Sequence, residues 1–302
     1  MFSSIAIVGS GAIGLYYGGR LAEHGHDVRF LLRGDFDAMK ENGLRCTSIH
    51  GDFHLAHPQG FRSAAEIGPV DLVIVSWKAT SNAMLAEVLP PLLHERTQVL
   101  TLQNGLGNCE AIAAITGADR VLGALCFVCI NRLSPGVIDH SNGGRMAISE
   151  FAPGLPGRAA EIARIFAAAK VSTTVETSTE EAIWKKLIWN VPFNGLAIAE
   201  GGKTTDLLLA DPQTVDEIRA LMEEVVRAAA ARGFPLDPAL IDWNIERTRA
   251  MAAYRPSSLI DWQEGREVEI EAIWGEPLRR AHAAGIHLPH WENLLARIVQ
   301  AS

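Results

Sequence analysis

Residues 5–34 read IAIVGSGAIGLYYGGRLAEHGHDVRFLLRG, and the spacing of the glycines in this stretch is its most informative feature. Residues 5–8 predict a buried strand, and residues 15–23 predict a helix that ends at Gly25. The pattern G-x-G-x-x-G between them provides a tight turn, room for a pyrophosphate and close packing of helix on strand. Free N–H groups at the start of such a helix attract an anion. The stretch therefore predicts a Rossmann-type dinucleotide-binding unit, with cofactor contacts from Gly9, Ser10, Gly11, Ala12, Ile13 and Gly14.

Arg33 follows the second predicted strand, which covers residues 28–32. In NAD-binding units an acidic residue about 20 positions past the glycines accepts hydrogen bonds from the ribose, whereas an arginine there suits a 2′-phosphate. The guanidinium group offers a planar fork of charge-assisted donors to such a phosphate. The next carboxylate after the strand is Asp35. This pattern favours NADP over NAD, and the alternative is that Arg33 is an ordinary solvated side chain.

The composition is that of a globular protein of 302 residues, a length that suits two domains. Apolar residues make up 48% and charged residues 21% of the chain. A net charge of −8 argues against nucleic acid and against an anionic membrane surface as partners. No apolar run approaches the 18 residues of a membrane span. Because a predicted strand begins by residue 5 without a charged leader, we expect a cytoplasmic protein.

The four cysteines are too few for a disulfide framework in a chain of this size. Cys126 and Cys129 form a C-x-x-C pattern inside an apolar segment that has no neighbouring cluster of histidines. In a strand these two sulfur atoms point to opposite faces. The sequence therefore predicts core positions and no metal site.

The first half of the chain alternates short apolar strands with helical stretches, which predicts an open parallel sheet covered by helices. Lys78 and Asn104 follow the predicted strands 71–75 and 98–102, at the sheet edge where ligands bind in such folds. Further strands are predicted over 121–148, around a Pro135–Gly136 turn. Beyond residue 177 the pattern becomes helical. We therefore predict an α/β protein with a Rossmann-type NADP-binding domain over 1–177 and an all-helical substrate domain over 178–302.

A polar stripe lies on the first predicted helix of the second domain, which begins at a capping box of Ser178 and Glu181. Lys186, Asn190 and Asn194 recur every four residues, so they fall within roughly 80° of one helix face. Burial of these groups against hydrocarbon costs several kcal/mol, so the stripe faces water or a polar ligand. A solvated surface stripe is the alternative interpretation.

A helix is predicted from about residue 267 to residue 284, closed by Gly285. Glu269 falls in its first turn, where the helix dipole favours a carboxylate. Taken alone, Glu269 is typical of a solvated first-turn acid. Ser257 and Asp261 belong to a shorter capped segment before this helix.

Taken together in their order, these motifs resemble the ketopantoate reductase (2-dehydropantoate 2-reductase) family over nearly the whole chain. The resemblance rests on the glycine turn at 9–14, Arg33, Lys78, Gln103-Asn104-Gly105, Pro135-Gly136, the pattern W-x-K-L-x-x-N-x-x-x-N over 184–194, and the set Ser257, Asp261 and Glu269.

The resemblance implies NADPH-dependent reduction of the 2-ketone of ketopantoate to (R)-pantoate, a step toward coenzyme A. It implies that Lys186 is the general acid and that Glu269 positions Lys186 and accepts a hydrogen bond from a substrate hydroxyl. The substrate would be held by Asn104, Asn190, Asn194 and Ser257. Lys78 and Asn104 would lie on the cofactor side.

Several alternatives stay open from the sequence. Trp189, Phe193 and Trp262 are bulky and would reshape a pocket, which keeps another small 2-keto acid as a candidate substrate. A 3-hydroxyacid, glycerol-3-phosphate or opine-type dehydrogenase shares the glycine turn and a helical second domain. A non-catalytic NADPH sensor is a further alternative. The oligomeric state is open, with a homodimer as one option.

Overall fold

The computed structural model describes residues 2–302, which group into two compact units. The first, here called the sheet unit, contains the residues up to Gln103 and Asn108–Thr179. The second, here called the helical unit, contains Asn104–Gly107 and Glu180–Ser302. The short stretch 104–107 thus groups with the helical unit, although it lies within the sequence range predicted for the first domain.

The sheet unit is built on one mixed sheet with the strand order β4-β3-β9-β8-β7-β6-β1-β2-β5, and β10 lies beside β9. Its strands are β1 (Ser4–Val8), β2 (Asp27–Leu31), β3 (Leu44–Ser48), β4 (Phe53–Leu55), β5 (Gln59–Phe61), β6 (Leu72–Val75), β7 (Gln98–Thr101), β8 (Val121–Ser134), β9 (Val137–Glu150) and β10 (Thr173–Glu176). Neighbouring strands pair in parallel, as predicted, along the part of the sheet formed by β8, β7, β6, β1, β2 and β5.

The long hairpin of β8 and β9 is antiparallel and makes the sheet mixed. The turn between its strands is the predicted Pro135–Gly136 pair. Gly136 has φ +71°, a left-handed conformation that favours glycine. The predicted further strands and the position of their turn are therefore confirmed, and they extend the parallel part of the sheet into a mixed one.

The helices of the sheet unit are α1 (Ala12–Glu23), α2 (Phe36–Asn42), α3 (Ala64–Ile67), α4 (Leu85–Val88), α5 (Asn108–Thr116) and α6 (Arg158–Ala168). Short 3₁₀ turns cover Ala79–Met84, Pro90–Leu92 and Ala118–Arg120. The helices that follow are α7 (Thr179–Ala199), α8 (Thr205–Ala210), α9 (Pro212–Ala231), α10 (Ala239–Arg249), α11 (Ser257–Gln263), α12 (Glu276–Ala283) and α13 (Pro289–Ala301). Within residues 2–302, no helix has the length and apolar character needed to cross a membrane.

Strand β1 is inaccessible on both of its faces. Ile5 and Ile7 belong to one hydrophobic cluster, which includes Leu15 of α1. Ala6 and Val8 belong to a second cluster on the other face. Because both faces are covered, the strand reads as a continuous apolar run without alternation, which is why it could be recognised in the sequence.

Three tryptophans, Trp184, Trp274 and Trp291, are fully buried in the helical unit. The rings of Trp184 and Trp291 meet edge to face with centroids 6.5 Å apart. The central helix α9 packs against α8, α10, α12 and α13. The helical character predicted for this part of the chain is confirmed.

The helix predicted over 267–284 is confirmed from residue 270 to residue 283, and it begins three residues later than predicted. Residues 266–269 are not helical, and a π-helical turn at Glu271–Gly275 precedes α12. The Ala272 carbonyl of this turn accepts a hydrogen bond of 2.9 Å from the Leu106 N–H. An outside donor that inserts into the helical hydrogen-bond ladder widens a helix locally, and π turns are frequent at functional sites.

Candidate active site

The three glycines of the glycine turn, Gly9, Gly11 and Gly14, have different surroundings. Gly9 has φ +118°, and a Cβ there would lie 2.3 Å from the Trp77 backbone nitrogen. A Cβ on Gly14 would lie 2.0 Å from the Gly9 carbonyl oxygen. A Cβ on Gly11, by contrast, would meet nothing within 4 Å. Two glycines therefore serve packing, and the third leaves open space beside the turn.

Helix α1 begins at Ala12, three residues before the predicted start, because the extended Gly11 forms its N-cap. No side chain caps this helix end, and its first turn carries no acidic residue. Ser10, Ala12 and Ile13 are half-buried around it. The backbone N–H groups and the positive end of the helix dipole therefore suit an anion such as a pyrophosphate.

Arg33 is exposed just past β2 and forms no ion pair with any carboxylate of residues 2–302. Its guanidinium lies 5.9 Å from the centroid of the Trp77 ring and donates to the sulfur of Met84 at 3.5 Å. Asp35, the next carboxylate, is 3% exposed and accepts a 3.0 Å hydrogen bond from Arg132 Nε. The cation beyond β2 is thus without a carboxylate partner, whereas the carboxylate is already paired. This arrangement suits a 2′-phosphate better than a ribose 2′-hydroxyl.

Lys78 and Asn104 follow β6 and β7, as the sequence predicted. Lys78 is half-buried and directly precedes the 3₁₀ turn at Ala79–Met84. It lies in the sheet unit with the glycine turn, whereas Asn104 lies in the helical unit.

Lys186 of α7 donates a 2.6 Å hydrogen bond from Nζ to Oδ1 of Asn104. The side chain of Lys186 is half-buried. The adjacent Lys185 is exposed and forms an ion pair of 2.7 Å with Glu181, one turn earlier on the same helix. The two neighbouring lysines therefore have different partners, and only Lys186 bonds to a predicted site residue.

The two asparagines that follow Lys186 differ in their bonding. Asn190 is 7% exposed, and its amide forms no hydrogen bond with any residue of the described chain. Asn194 is 1% exposed, and its Oδ1 accepts a hydrogen bond of 3.0 Å from the Ser258 N–H. Ser257 is exposed at the first position of α11. The sequence pattern treated Asn190 and Asn194 alike, but the Asn194 oxygen bonds to another helix, whereas the Asn190 oxygen bonds to no residue of the described chain.

The stretch after β7 is fixed against the π turn by close backbone contact. Gly105 has φ +81°, and a Cβ there would lie 2.0 Å from the Ala272 carbonyl oxygen. The same carbonyl accepts the hydrogen bond from the Leu106 N–H. Glu269, which is 9% exposed, immediately precedes this part of the chain and is not in the first turn of a long helix. Sequence reasoning singled out Gly105 but had no signal for Ala272 as the group against which it packs.

An alanine at Gly105 is expected to lower the melting temperature and the catalytic efficiency, because the new Cβ overlaps a backbone oxygen that cannot move cheaply. Gly107→Ala is the matched control: Gly107 also has a positive φ, of +89°, but its Cβ would make an ordinary 3.5 Å contact with Glu276. Thermal unfolding and steady-state kinetics of both variants test this. Equal damage in the two variants would assign the effect to backbone strain alone.

Glu276 is the first residue of α12, and its side chain lies close to Gly107. Burial raises the pKa of Glu276, but hydrogen bonds from Arg280 and Arg279 lower it by more, so the net pKa is below its usual range. Glu276 is therefore an ionised carboxylate that is paired with two arginines.

Two of the three bulky aromatic residues noted in the sequence form a stacked pair on α7. The rings of Trp189 and Phe193 have centroids 5.2 Å apart, and Trp189 Nε1 donates to Thr248 Oγ1 at 2.9 Å. Trp262 instead donates from Nε1 to the Ala301 carbonyl at 2.9 Å, against the C-terminal helix. Phe193 is fully buried and Trp189 is half-buried, on the helix that carries Lys186 and Asn190.

The chain matches two models of known protein families and has close relatives among known proteins. The family model described as ketopantoate reductase PanE/ApbA matches residues 5–153. The model described as ketopantoate reductase PanE/ApbA C terminal matches residues 178–301. A 2-dehydropantoate 2-reductase from Nostoc sp. is 37% identical over 289 residues, which are 94% of this chain and 90% of that protein.

Solved structures show the same likeness. The crystal structure of 2-dehydropantoate 2-reductase from Geobacter metallireducens has a TM-score of 0.97 and 44% sequence identity, and the match covers 99% of this chain and 100% of that one. A ternary structure of D-mandelate dehydrogenase with NADH and anilino(oxo)acetate has a TM-score of 0.90 at 21% identity, covering 99% and 97% of the two chains, which is a likeness of fold alone. On its two matching family models and its relatives, the chain belongs to the ketopantoate reductase family of oxidoreductases.

Proposed function

We propose that this protein is an NADPH-dependent 2-dehydropantoate 2-reductase that reduces the ketone of ketopantoate to (R)-pantoate. The observation that carries the proposal is the 2.6 Å hydrogen bond between Lys186 Nζ and Asn104 Oδ1, beside an Asn190 amide that has no hydrogen-bond partner in the described chain. An ammonium group and an amide on one helix face suit a ketone and a carboxylate on one small substrate. The names of the family and of its curated relatives support the same substrate.

NADPH fits the residues of the sheet unit. The glycine turn, Gly9 to Gly14, would hold the pyrophosphate, because Gly11 leaves open space beside an uncapped helix end. Arg33 would pair with the 2′-phosphate, and Lys78 and Asn104 would contact the nicotinamide side. The nicotinamide ring, when bound, supplies the hydride.

Lys186 would hold the proton that the product needs. A ketone that is being reduced develops alkoxide charge on its oxygen, and an ammonium group beside that oxygen both stabilises the charge and donates a proton to it. Lysine Nζ carries three N–H donors, and the bond to Asn104 Oδ1 fixes one of them, which orients the group. Glu269 would help to position Lys186 and would accept a hydrogen bond from a substrate hydroxyl.

Asn104, Asn190, Asn194 and Ser257 would bind the rest of the substrate. The open Asn190 amide offers two N–H donors to a carboxylate. The half-buried Trp189 favours a second candidate, another small 2-keto acid, because a bulky ring on the helix of Lys186 changes the shape of the space for a substrate. We further propose residues 1–177 and 178–302 as the two domains, action in the cytoplasm, and a homodimer as the assembly, which light scattering of the purified protein would measure.

The experiment is an NADPH-oxidation assay with ketopantoate, run beside pyruvate, 2-ketoisovalerate and oxaloacetate. We expect selective turnover of ketopantoate. Selective turnover of another keto acid would replace the substrate and keep the reaction class. Tight NADPH binding without turnover of any keto acid would favour a sensor.

Gly11→Ala is expected to weaken NADPH binding about 10- to 100-fold, the usual effect of one misplaced methyl group in a packed site. The variant should fold normally, because the new Cβ meets no protein atom within 4 Å and Gly11 has an ordinary φ of −75°. A fluorescence titration with NADPH gives the Kd, and thermal unfolding without cofactor is the control. Unchanged affinity in a stable variant would remove the pyrophosphate from this position.

A further inference from the structure

We infer that Asn82 is a positioning residue, which fixes both ends of the stretch 104–107 and thereby the side chain of Asn104 that bonds to Lys186. The inference deepens the proposed function and rests on it for the role of Lys186. No sequence motif singles out Asn82, which lies in the 3₁₀ turn at Ala79–Met84.

The side-chain amide of Asn82 forms a hydrogen bond at each of its two ends. Its Oδ1 accepts a bond of 2.8 Å from Nε2 of Gln103, and its Nδ2 donates a bond of 2.8 Å to Oδ1 of Asn108. Gln103 and Asn108 are the residues on either side of the stretch 104–107. One half-buried side chain therefore joins the two ends of this stretch.

The bonds on the Gln103 side run in one direction. Thr101 Oγ1 accepts from the Gln103 N–H at 3.2 Å and donates to Gln103 Oε1 at 2.9 Å. Since the oxygen of the Gln103 amide receives that hydroxyl, its nitrogen is the end that donates to Asn82. Gln103 is 6% exposed, so loss of the Asn82 oxygen would leave a buried donor without its partner, which is costly.

The turn that carries Asn82 is held by bonds of its own. The Ser81 N–H donates to the Lys78 carbonyl at 2.9 Å, and the Leu85 N–H donates to the Asn82 carbonyl. Leu85, which directly follows the turn, is fully buried. Removal of the Asn82 side chain therefore leaves the turn in place, and the stretch 104–107 is the part that is released.

The backbone of the stretch 104–107 depends on such restraints. Gly105 and Gly107 have positive φ angles of +81° and +89°, and glycine loses more conformational freedom on folding than any other residue. The Leu106 N–H is held by the Ala272 carbonyl in the middle of the stretch. Its two ends are held by the bonds to Asn82.

Asn104 is the residue whose position these end restraints decide. It directly follows Gln103, and its Oδ1 accepts the 2.6 Å hydrogen bond from Lys186 Nζ. A displacement of Gln103 therefore moves the acceptor that orients the ammonium group of the proposed general acid. A displacement of about 1 Å at such a group can cost about 10²-fold in rate.

The experiment is a double-mutant cycle of Asn82→Leu and Asn104→Ala, with kcat/KM for ketopantoate measured at saturating NADPH. Asn82→Leu removes both bonds at similar volume and is expected to lower kcat/KM by about 10- to 10²-fold. In the Asn104→Ala background the same change should cost less than about threefold, because the group through which Asn82 acts is then absent. Independent roles predict that the two losses multiply, and that result would overturn the inference.

Ser81→Ala is the matched control in the same turn, because the Ser81 hydroxyl bonds to no residue within 2–302. Its kinetics should equal those of the parent protein. Asn82→Ala removes the same two bonds without an apolar group at a half-buried position, and it replaces the leucine variant in the cycle if the latter has a low melting temperature.

Hydrogen–deuterium exchange of the segment 103–108 tests the restraint without any substrate. We expect about tenfold faster exchange in Asn82→Leu than in the parent or in Ser81→Ala, which corresponds to the loss of one hydrogen bond. Unchanged exchange would overturn the inference. If the parent turns over no ketopantoate, the proposed function fails and the exchange rates alone decide: faster exchange in Asn82→Leu supports the restraint, and equal rates overturn it.

Discussion

Replacement of Lys186 by alanine is expected to lower kcat for ketopantoate reduction by about 10²–10⁴-fold, the usual contribution of a general acid. The variant loses both the proton donor and the positive charge beside the developing alkoxide. It should still bind NADPH, because the glycine turn and Arg33 belong to the sheet unit and Lys186 belongs to the helical unit.

The neighbouring lysine is the matched control for this result. Lys185→Ala removes the same charge one residue away, from an exposed side chain paired with Glu181. An exposed pair of this kind contributes only a few tenths of a kcal/mol, so near-normal kinetics are expected. The measurement is the rate of NADPH oxidation at saturating ketopantoate for both variants. Turnover of Lys186→Ala close to that of Lys185→Ala would exclude Lys186 as the acid.

Replacement of Arg33 by aspartate is expected to raise the Kd for NADPH by about 10²-fold and to leave the Kd for NADH nearly unchanged. A hydrogen-bonded pair between a guanidinium and a phosphate is strong, and its removal costs about 1.5–3 kcal/mol. An aspartate adds repulsion of the 2′-phosphate. NADH lacks that phosphate, so its affinity does not depend on the pair.

Fluorescence titrations with both dinucleotides measure this effect. Arg62→Asp is a suitable control, because it makes the same change in net charge at an exposed arginine that pairs with Asp37 at 2.6 Å. A general electrostatic effect would appear in both variants, and a local contact would appear only at Arg33. A preference for NADPH that survives Arg33→Asp would assign the 2′-phosphate to another residue.

The central strands and the glycine turn could be predicted because their signals are local. Strand β1 is covered on both faces, so it reads as an unbroken apolar run, and the glycines follow it directly. The pairing of β3 with β9 could not be predicted, because it joins segments about 90 residues apart and leaves no pattern in either. The turn of the β8–β9 hairpin could be predicted, because its strands are adjacent in sequence and its Pro135–Gly136 signal is local.

The residues of the candidate site could likewise be predicted only where their signal in the sequence is local. Helical spacing selected Lys186, and Lys186 is the lysine that bonds to Asn104, 82 residues away. The first three residues of the helix predicted over 267–284 were wrong, and its π turn was not predicted, because that turn depends on the contact between Leu106 and Ala272. A spacing of four residues also cannot distinguish an amide that caps a distant helix, Asn194, from one without a partner, Asn190. These distinctions arise only when the chain is folded.

The membership of residues 104–107 in the helical unit has a consequence for protein engineering. A fragment that starts at Glu180 contains Lys186 and the π turn but lacks Asn104, Gly105 and Leu106, which bond to or pack against them. A chimera that exchanges only the C-terminal half between two family members would combine one parent's lysine with the other parent's asparagine. The part of the chain to be exchanged is therefore discontinuous. A working chimera must carry residues 104–107 together with the C-terminal segment.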